Sequence, residues 1–435
     1  MTPAELRVRV GGEPAAVVVR RIDGLLLSYD AHYVAWANAV PLSLSLPLSV
    51  RPHSGPVVER WLDGLLPDRA VEREEWRRHV GAVSSDPFDL LSTPIGSECA
   101  GAVQFEREGA GTQPSDESAH RSALEFISES DLSAVLAEMS EGALLGGWRD
   151  DPLASFSLAG TMPKLALRRS ERRWHKAIGD EPTTHILKPS LRLYPGQAIG
   201  EHLALATARR LGIEAVRTDV AFVGGVETLV VERFDRSPLP TGGAAIARVH
   251  QEDLCQAFGR SPAQRFERDG GPGAGDVARL LATHSTDSGT DLRTWFTRLV
   301  YCWFIVANDA HAKNHALLHL PGAVCRLAPM YDTASWLPYT DVAASEVHLA
   351  MALGDGYHVG EGARIDDWQQ FARATGVDPQ WAASEVLRIA RDTPAHLQAE
   401  MDALGAAARS SGTATRLLAA IIRRSESVLA DVAGQ

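Results

Sequence analysis

The spacing of apolar positions shifts along the chain, and each shift marks an element. Residues 5–29 hold three short β-rich runs, LRVRV, AAVVVRRI and LLLSY, with a hairpin turn at Asp23-Gly24. Residues 41–49, PLSLSLPLS, alternate apolar and small polar positions, which predicts a half-buried strand. Over residues 57–91, in PVVERWLDGLL and REEWRRHVGAV, the apolar positions recur every three or four residues, the helical spacing, and DPFDLLS follows. Residues 106–121 (EREGAGTQPSDESAHR) are polar, contain Gly and Pro, and follow neither period; they read as a linker.

From about 155 to 233 β-rich runs return around one helix. SLAGTMPKLALRR predicts strand–turn–strand, THILKPS a strand carrying Lys188, GEHLALATARRLGI a helix over Gly200–Ile213, and TDVAFV and TLVVERF two more strands. From about 250 onward helices dominate, beginning with VHQEDLCQAFG, whose acidic first turn suits a helix N-terminus. DLRTWFTRLVYCWFIV (291–306) is apolar nearly all round and reads as a buried helix. It runs into the polar loop NDAHAKN, then ALLHL, a Pro321-Gly322 turn and VCRLA, a short hairpin. Helices and short loops fill 360–431, and no repeat of solenoid length is visible. The implied division is 1–105, a linker 106–122, a β-rich domain 123–248 and a helical domain 249–435.

Composition narrows the class. A 435-residue chain can bury two or three sizeable cores. No apolar run spans a membrane, and the N-terminus lacks an apolar signal core, so a cytoplasmic protein is expected. Cys99, Cys255, Cys302 and Cys325 are widely spaced, as reduced buried thiols would be. The net charge of −12 argues against nucleic-acid binding by the chain as a whole. A local basic patch stays open, with Arg172-Arg173 and Arg423-Arg424 as candidates, although these pairs read more simply as solvated faces.

The chemistry concentrates in NDAHAKNH and the following MYD. Asp309, Asn314 and Asp332 supply what phosphoryl transfer from ATP needs: a carboxylate to orient the attacking hydroxyl, and an amide and a carboxylate for Mg²⁺. Asp-x4-Asn is also the spacing of a kinase catalytic loop. The hairpin between them can fold Asp332 back beside Asn314, and Tyr331 joins the ATP-binding set. His311 and Lys313 stand close enough to stabilise charge on the moving phosphate. A zinc pair from His311 and His315 competes, without the glutamate of H-E-x-x-H. Lys188, in an apolar strand, needs an anion such as ATP phosphate, and Glu201 is placed to brace it. Ala159, Gly160 and Thr161, with Lys164 behind, form a candidate phosphate loop that is not a Walker A motif. Backbone groups of Glu232, Arg233 and Phe234 stand where an adenine edge would be read, or Phe234 is plain core. GGPGAG (270–275) reads as a surface loop.

In order, SLAGTMPKLAL, TTHILKPS, EHLALATARRLGI, LVVERFDR, VHQEDLCQAFG, RFERDGGPG, NDAHAKNHALL and RLAPMYD resemble the HipA family of toxin–antitoxin serine/threonine kinases, over about 157–335. The resemblance implies an α/β (α+β) two-lobe kinase fold similar to phosphatidylinositol 3/4-kinases, with an N-terminal β subdomain and an all-α C-terminal lobe. It implies ATP and Mg²⁺, with Asp309 as base, Asn314 and Asp332 as metal ligands, Lys188 on phosphate and Glu232–Phe234 on adenine. Ser157 matches the family's autophosphorylated serine; a phosphate there adds about two negative charges and would expel the loop from the ATP site. The family's substrates include aminoacyl-tRNA synthetases. Its usual partner is a small HipB-like helix-turn-helix antitoxin that makes most of the contact with operator DNA. This chain departs from the pattern at Thr161-Met162-Pro163, where Pro163 stiffens the loop, and at Gly200, where Asn is common. Ser155 is an alternative phosphorylation site. A weakly catalytic ATP-binding co-repressor and a small-molecule kinase stay open as other readings.

Overall fold

In a computed structural model of the chain, the described residues are 5–107, 123–143, 162–239, 245–339, 347–353, 356–357 and 363–433. They fall into two compact units. The first comprises residues 1–189, 232–263 and 317–325, and the second residues 190–231, 264–316 and 326–435.

The first unit opens with an antiparallel sheet in the order His53–Ser54, Gly24–Tyr29, Glu13–Arg21, Glu5–Val10, Val103–Arg107. Leu6, Val8 and Val10 are buried between outward-facing Arg7 and Arg9, the period-two pattern of a one-sided sheet. Val58, Trp61 and Leu62 of the helix Pro56–Gly64 join the same core. The expected strand over 41–49 does not form: the segment is irregular, with a single bridge between Ser43 and Leu46. Its alternation has another cause. Leu42 and Leu46 are buried, while Ser43 Oγ donates to Glu252 and to the Gln256 carbonyl, and the Leu44 N–H donates to Glu252. Side chains take over the backbone pairing that a strand would need.

Further along, Ala123–Phe126, Arg173–Ile178, Leu165–Ser170 and His185–Pro189 pair antiparallel in that order. The predicted helix at VHQEDLCQAFG begins late. His250–Asp253 is a strand beside the hairpin Ala316–Leu320 and Val324–Leu327, and the helix covers Leu254–Ala257, started by a capping box of Asp253 and Gln256. The segment 249–435 is therefore mainly helical, with one small sheet inside it.

The second unit holds the antiparallel pair 218–223 and 226–231 and a set of long helices, among them Gln197–Arg210, Ala274–His284, Ser288–Phe304, Pro379–Leu404 and Gly412–Ala433. Gln197–Arg210 starts three residues before Gly200, after the left-handed Gly196. Ser288–Phe304 is the centre of this unit. Asp287 caps it by accepting from the Thr290 N–H, and Trp295, Phe296, Val300, Tyr301, Trp303 and Phe304 are buried around it. At its end Arg424 Nε donates to the Phe304 carbonyl at 2.8 Å, with the guanidinium 5.4 Å from the Trp303 ring. No helix among the described residues is long and apolar enough to cross a membrane.

Candidate active site

The catalytic-loop candidate begins where the helix Ser288–Phe304 stops. The Ala307 N–H donates back to the Cys302 carbonyl at 2.8 Å and the Val306 N–H to that of Trp303 at 3.1 Å, which places Val306 at φ +53°. Glycine normally takes this position, and a β-branched residue there costs about 1–3 kcal/mol. The surroundings hold it. Val306 is fully buried, its carbonyl accepts the Trp336 N–H at 3.0 Å, and Ser335 Oγ donates to the Ile305 carbonyl. The start of the loop is thus pinned to the stretch that follows Asp332.

Within NDAHAKN the chain closes on itself. The His311 N–H donates to the Asp309 carbonyl at 2.8 Å, the Asn314 N–H to His311 at 2.9 Å, and the Ala312 N–H to the Arg265 carbonyl at 3.0 Å. Asn314 Nδ2 donates to the Asp309 carbonyl at 2.8 Å and, more weakly, to that of Asp332 at 3.5 Å. Both partners can only accept, so the amide orientation is set and Oδ1 is the atom of Asn314 left to act as an acceptor. Tyr331 Oη donates to the Lys313 carbonyl at 2.8 Å. Met330 is bonded on both sides to residues 214–216, through its N–H to the Glu214 carbonyl and its carbonyl from the Val216 N–H. Asp332 sits at φ +49°, a conformation that Asp tolerates better than most residues. The structure therefore brings Asp309, Asn314, Tyr331 and Asp332 together.

Burial sorts the loop's ionisable groups. The Asp309 side chain is 68% exposed. His311 is buried, its Nε2 lies 3.6 Å from Asp309 Oδ1, and its ring stands edge-on to Phe266 at 4.9 Å. That distance is too long for a direct hydrogen bond but within ion-pair reach of a protonated imidazole. Lys313 is buried beside Asn314. His315 is buried edge-on to Trp295 and donates Nε2–H to the Ala310 carbonyl at 3.2 Å. Burial, reinforced by the Arg298 charge, pushes its pKa down to about 3, so the ring is neutral. His315 is a brace for the loop, which speaks against the paired-histidine zinc reading. Arg298 is itself buried in the core, and one guanidinium nitrogen donates to the Ala328 carbonyl at 2.8 Å, four residues before Asp332.

In the first unit, Lys188 is half-buried in the strand His185–Pro189, which pairs with Leu165–Ser170 just after Lys164. Arg233 is committed elsewhere: its N–H donates to the Thr184 carbonyl at 3.0 Å, and its guanidinium is buried against Glu98, Asp235 and Thr183. Arg233, in the middle of Glu232–Phe234, is thus anchored through both its main chain and its side chain. Glu201 lies in the helix Gln197–Arg210, in the second unit. Ser155, Ser157, Ala159, Gly160 and Thr161 lie outside the described residues.

Two family models match the chain, the HipA N-terminal domain over residues 6–106 and the HipA-like C-terminal domain over 156–397. The chain belongs to the HipA family. It is 30% identical to the putative kinase Y4mE of Sinorhizobium fredii over 80% of both chains. It is 28% identical to the serine/threonine-protein kinase toxin HipA of Shewanella oneidensis over 85% of this chain and 84% of that one. A solved complex of Shewanella oneidensis HipA, HipB and operator DNA shares the fold, with a TM-score of 0.81, 98% of this chain and 97% of that chain covered, and 23% identity.

For a HipA-family chain the question of the metal turns on donor chemistry. Asn314 Oδ1 and the Asp332 carboxylate are hard oxygen donors, which suit Mg²⁺ better than a soft metal. Among the described residues no group of three His, Cys, Asp or Glu is placed to hold a metal. An amide and one carboxylate with substrate phosphate is the usual way Mg²⁺ is bound in phosphoryl transfer, so the residues fit the ion. Sequence reasoning missed Arg298, the bracing role of His315 and the buried partners of Arg233. Only a charged residue inside an otherwise apolar helix hinted at Arg298.

Proposed function

We propose that the chain is an ATP- and Mg²⁺-dependent serine/threonine-protein kinase and the toxin of a toxin–antitoxin module. The observation that carries this reading is the Asn314 amide, hydrogen-bonded to the backbone of both Asp309 and Asp332, because it gathers the three functional groups of phosphoryl transfer on one support. Asp309 orients the acceptor hydroxyl and takes its proton as the hydroxyl oxygen forms a bond to the γ-phosphorus. The bond from that phosphorus to the β,γ-bridging oxygen breaks, and ADP leaves. Asn314 and Asp332 would hold Mg²⁺, which would supply positive charge to offset that of the ATP phosphates. His311 and Lys313 add positive character beside the base, Lys188 binds phosphate, and Glu201 has a supporting role. Lys164, Ala159, Gly160 and Thr161 cover the phosphates, with Tyr331 in the nucleotide set and Glu232 and Phe234 reading adenine. Phosphorylation of Ser157 silences the enzyme.

The target we propose is a cellular protein of the translation apparatus, an aminoacyl-tRNA synthetase, whose modification stops growth. The partner is a HipB-like antitoxin that carries operator DNA contact. Its support is family membership together with the Shewanella oneidensis complex, in which HipA is found with HipB and DNA. The test is to incubate the chain with Mg-ATP and cell lysate, with Asp309→Asn as control, and map phosphosites by mass spectrometry. A phosphoserine or phosphothreonine on a lysate protein, absent from the control, is expected. ATP binding without transfer to any protein would favour the co-repressor reading.

A further inference from the structure

Glu98 lies in the matched N-terminal domain, immediately after the short 3₁₀ turn Pro94–Ser97, yet its carboxylate serves the C-terminal domain. Arg233 donates to it at 2.8 Å and Arg236 at 2.9 Å, Arg248 ion-pairs with its other oxygen, and Thr183 donates both Oγ1–H, at 2.6 Å, and its N–H, at 3.2 Å. Arg233 also grips Asp235 with two nitrogens, at 2.9 and 2.7 Å. Asp235 in turn accepts the Gly101 N–H at 2.7 Å, and Arg236 donates to the Gly101 carbonyl at 2.8 Å. All of these charged side chains are within 5% of full burial. Burial alone would raise the Glu98 carboxyl; the three guanidiniums hold it down at about 2.

A cluster of this kind is a poor source of stability, because apolar residues of the same volume would serve as well or better. What it provides is geometry. Arg233 lies between Glu232 and Phe234, and its main chain is fixed by the Thr184 carbonyl on one side while the Asp235 carbonyl accepts the Val249 N–H at 2.9 Å on the other. Among the described residues, Glu98 is the carboxylate that Arg233, Arg236 and Arg248 share. Without its charge, Arg233 and Arg236 share Asp235 alone and Arg248 loses its carboxylate, and the repulsion among the three guanidiniums acts directly on the residues flanking Glu232 and Phe234.

We infer that Glu98 is a positioning residue through which the N-terminal domain sets the adenine-reading backbone of the kinase. This rests on the reading of Glu232 and Phe234 given above. The full-length Glu98→Gln variant should bind Mg-ATP about tenfold more weakly by calorimetry and raise its KM alike. Its kcat at saturating ATP should stay within about twofold, and its affinity for Mg-tripolyphosphate, which has no base, should be unchanged. A purely structural role would lower the melting temperature without separating ATP from tripolyphosphate. Unchanged ATP affinity, or equal weakening of both ligands, overturns the inference. Should Glu98→Gln fail to fold, Thr183→Val removes one donor to the same carboxylate and should weaken ATP about threefold; unchanged affinity there overturns the inference equally. The adenine reading is tested separately on the wild type with purine riboside triphosphate, which lacks the exocyclic amine. If it binds as well as ATP, the adenine reading fails and the inference with it. If it binds more weakly while Glu98→Gln leaves ATP untouched, only the inference fails.

Discussion

Replacing Asn314 by Asp separates two tasks that the side chain combines. As a bare metal ligand, Asp would be at least the equal of Asn, since it adds a charge and keeps an oxygen. The structure says otherwise, because the Asn314 amide nitrogen donates to the carbonyls of Asp309 and Asp332 in a position 7% exposed. Asp places an acceptor against two acceptors. Losing the 2.8 Å bond costs about 0.5–1.5 kcal/mol, and leaving buried carbonyls unpaired a further 1–3 kcal/mol or so. The loop and the Asp332 stretch would relieve this by separating, and a displacement of about 1 Å between reacting groups costs on the order of a hundredfold in rate. Phosphoryl transfer measured with γ-labelled ATP should therefore fall at least about a hundredfold in Asn314→Asp, nearly as far as in Asn314→Ala. Asn314→Asp retaining activity within about threefold of wild type, with an unchanged melting temperature, would refute the bracing role.

Three further outcomes are expected. Burial lifts the Glu72 carboxyl from 4.5 to about 7 against the pull of Lys164 and Arg69, so its ionisation destabilises the fold progressively as pH rises between those values. Glu72→Gln should leave stability unchanged at pH 4 and raise it by about 1–2 kcal/mol at pH 8, after allowing for solvent screening; equal melting shifts at both pH values would contradict this. The depressed pKa of buried His315 means the unfolded chain takes up a proton first, so stability present above pH 6.5 is lost toward pH 3. His315→Gln should flatten that acid slope by about 1.4 kcal/mol per pH unit, read from denaturant titrations, and an unaltered slope would show the ring to be accessible. Ser157→Ala should remove most self-phosphorylation, and phosphate found at Ser155 by mass spectrometry would reassign the site.

What could be read from the chain was whatever local pattern determines. The apolar run 291–306 became the buried helix Ser288–Phe304, and the Pro321-Gly322 turn joins the strands foreseen on either side of it. The loop between them has its kinase spacing in the sequence itself. What escaped depends on partners far away. PLSLSLPLS has the alternation of a strand, but Ser43 and Leu44 bond to Glu252, more than two hundred positions on, and the backbone never joins a sheet. His250–Asp253 is a strand because the later hairpin lies beside it, although its acidic residues resemble a helix start. Arg233 looked like one residue of an adenine-binding stretch, and only the distant Glu98 shows that its side chain is an anchor. Arg298 is similar: a charge in an apolar helix gives no sign of the carbonyl it will meet, and here that is Ala328.

Asp309, with Asn314 and Asp332, is proposed to make this chain a protein kinase. The most direct measurement is transfer of labelled γ-phosphate from Mg-ATP to protein by wild type and Asp309→Asn, with ATP binding to both followed by calorimetry. Equal ATP binding by both proteins is expected, with phosphoprotein formed only by the wild type. Equal transfer by both proteins would remove Asp309 from the chemistry, and binding without transfer by the wild type would contradict the kinase assignment itself.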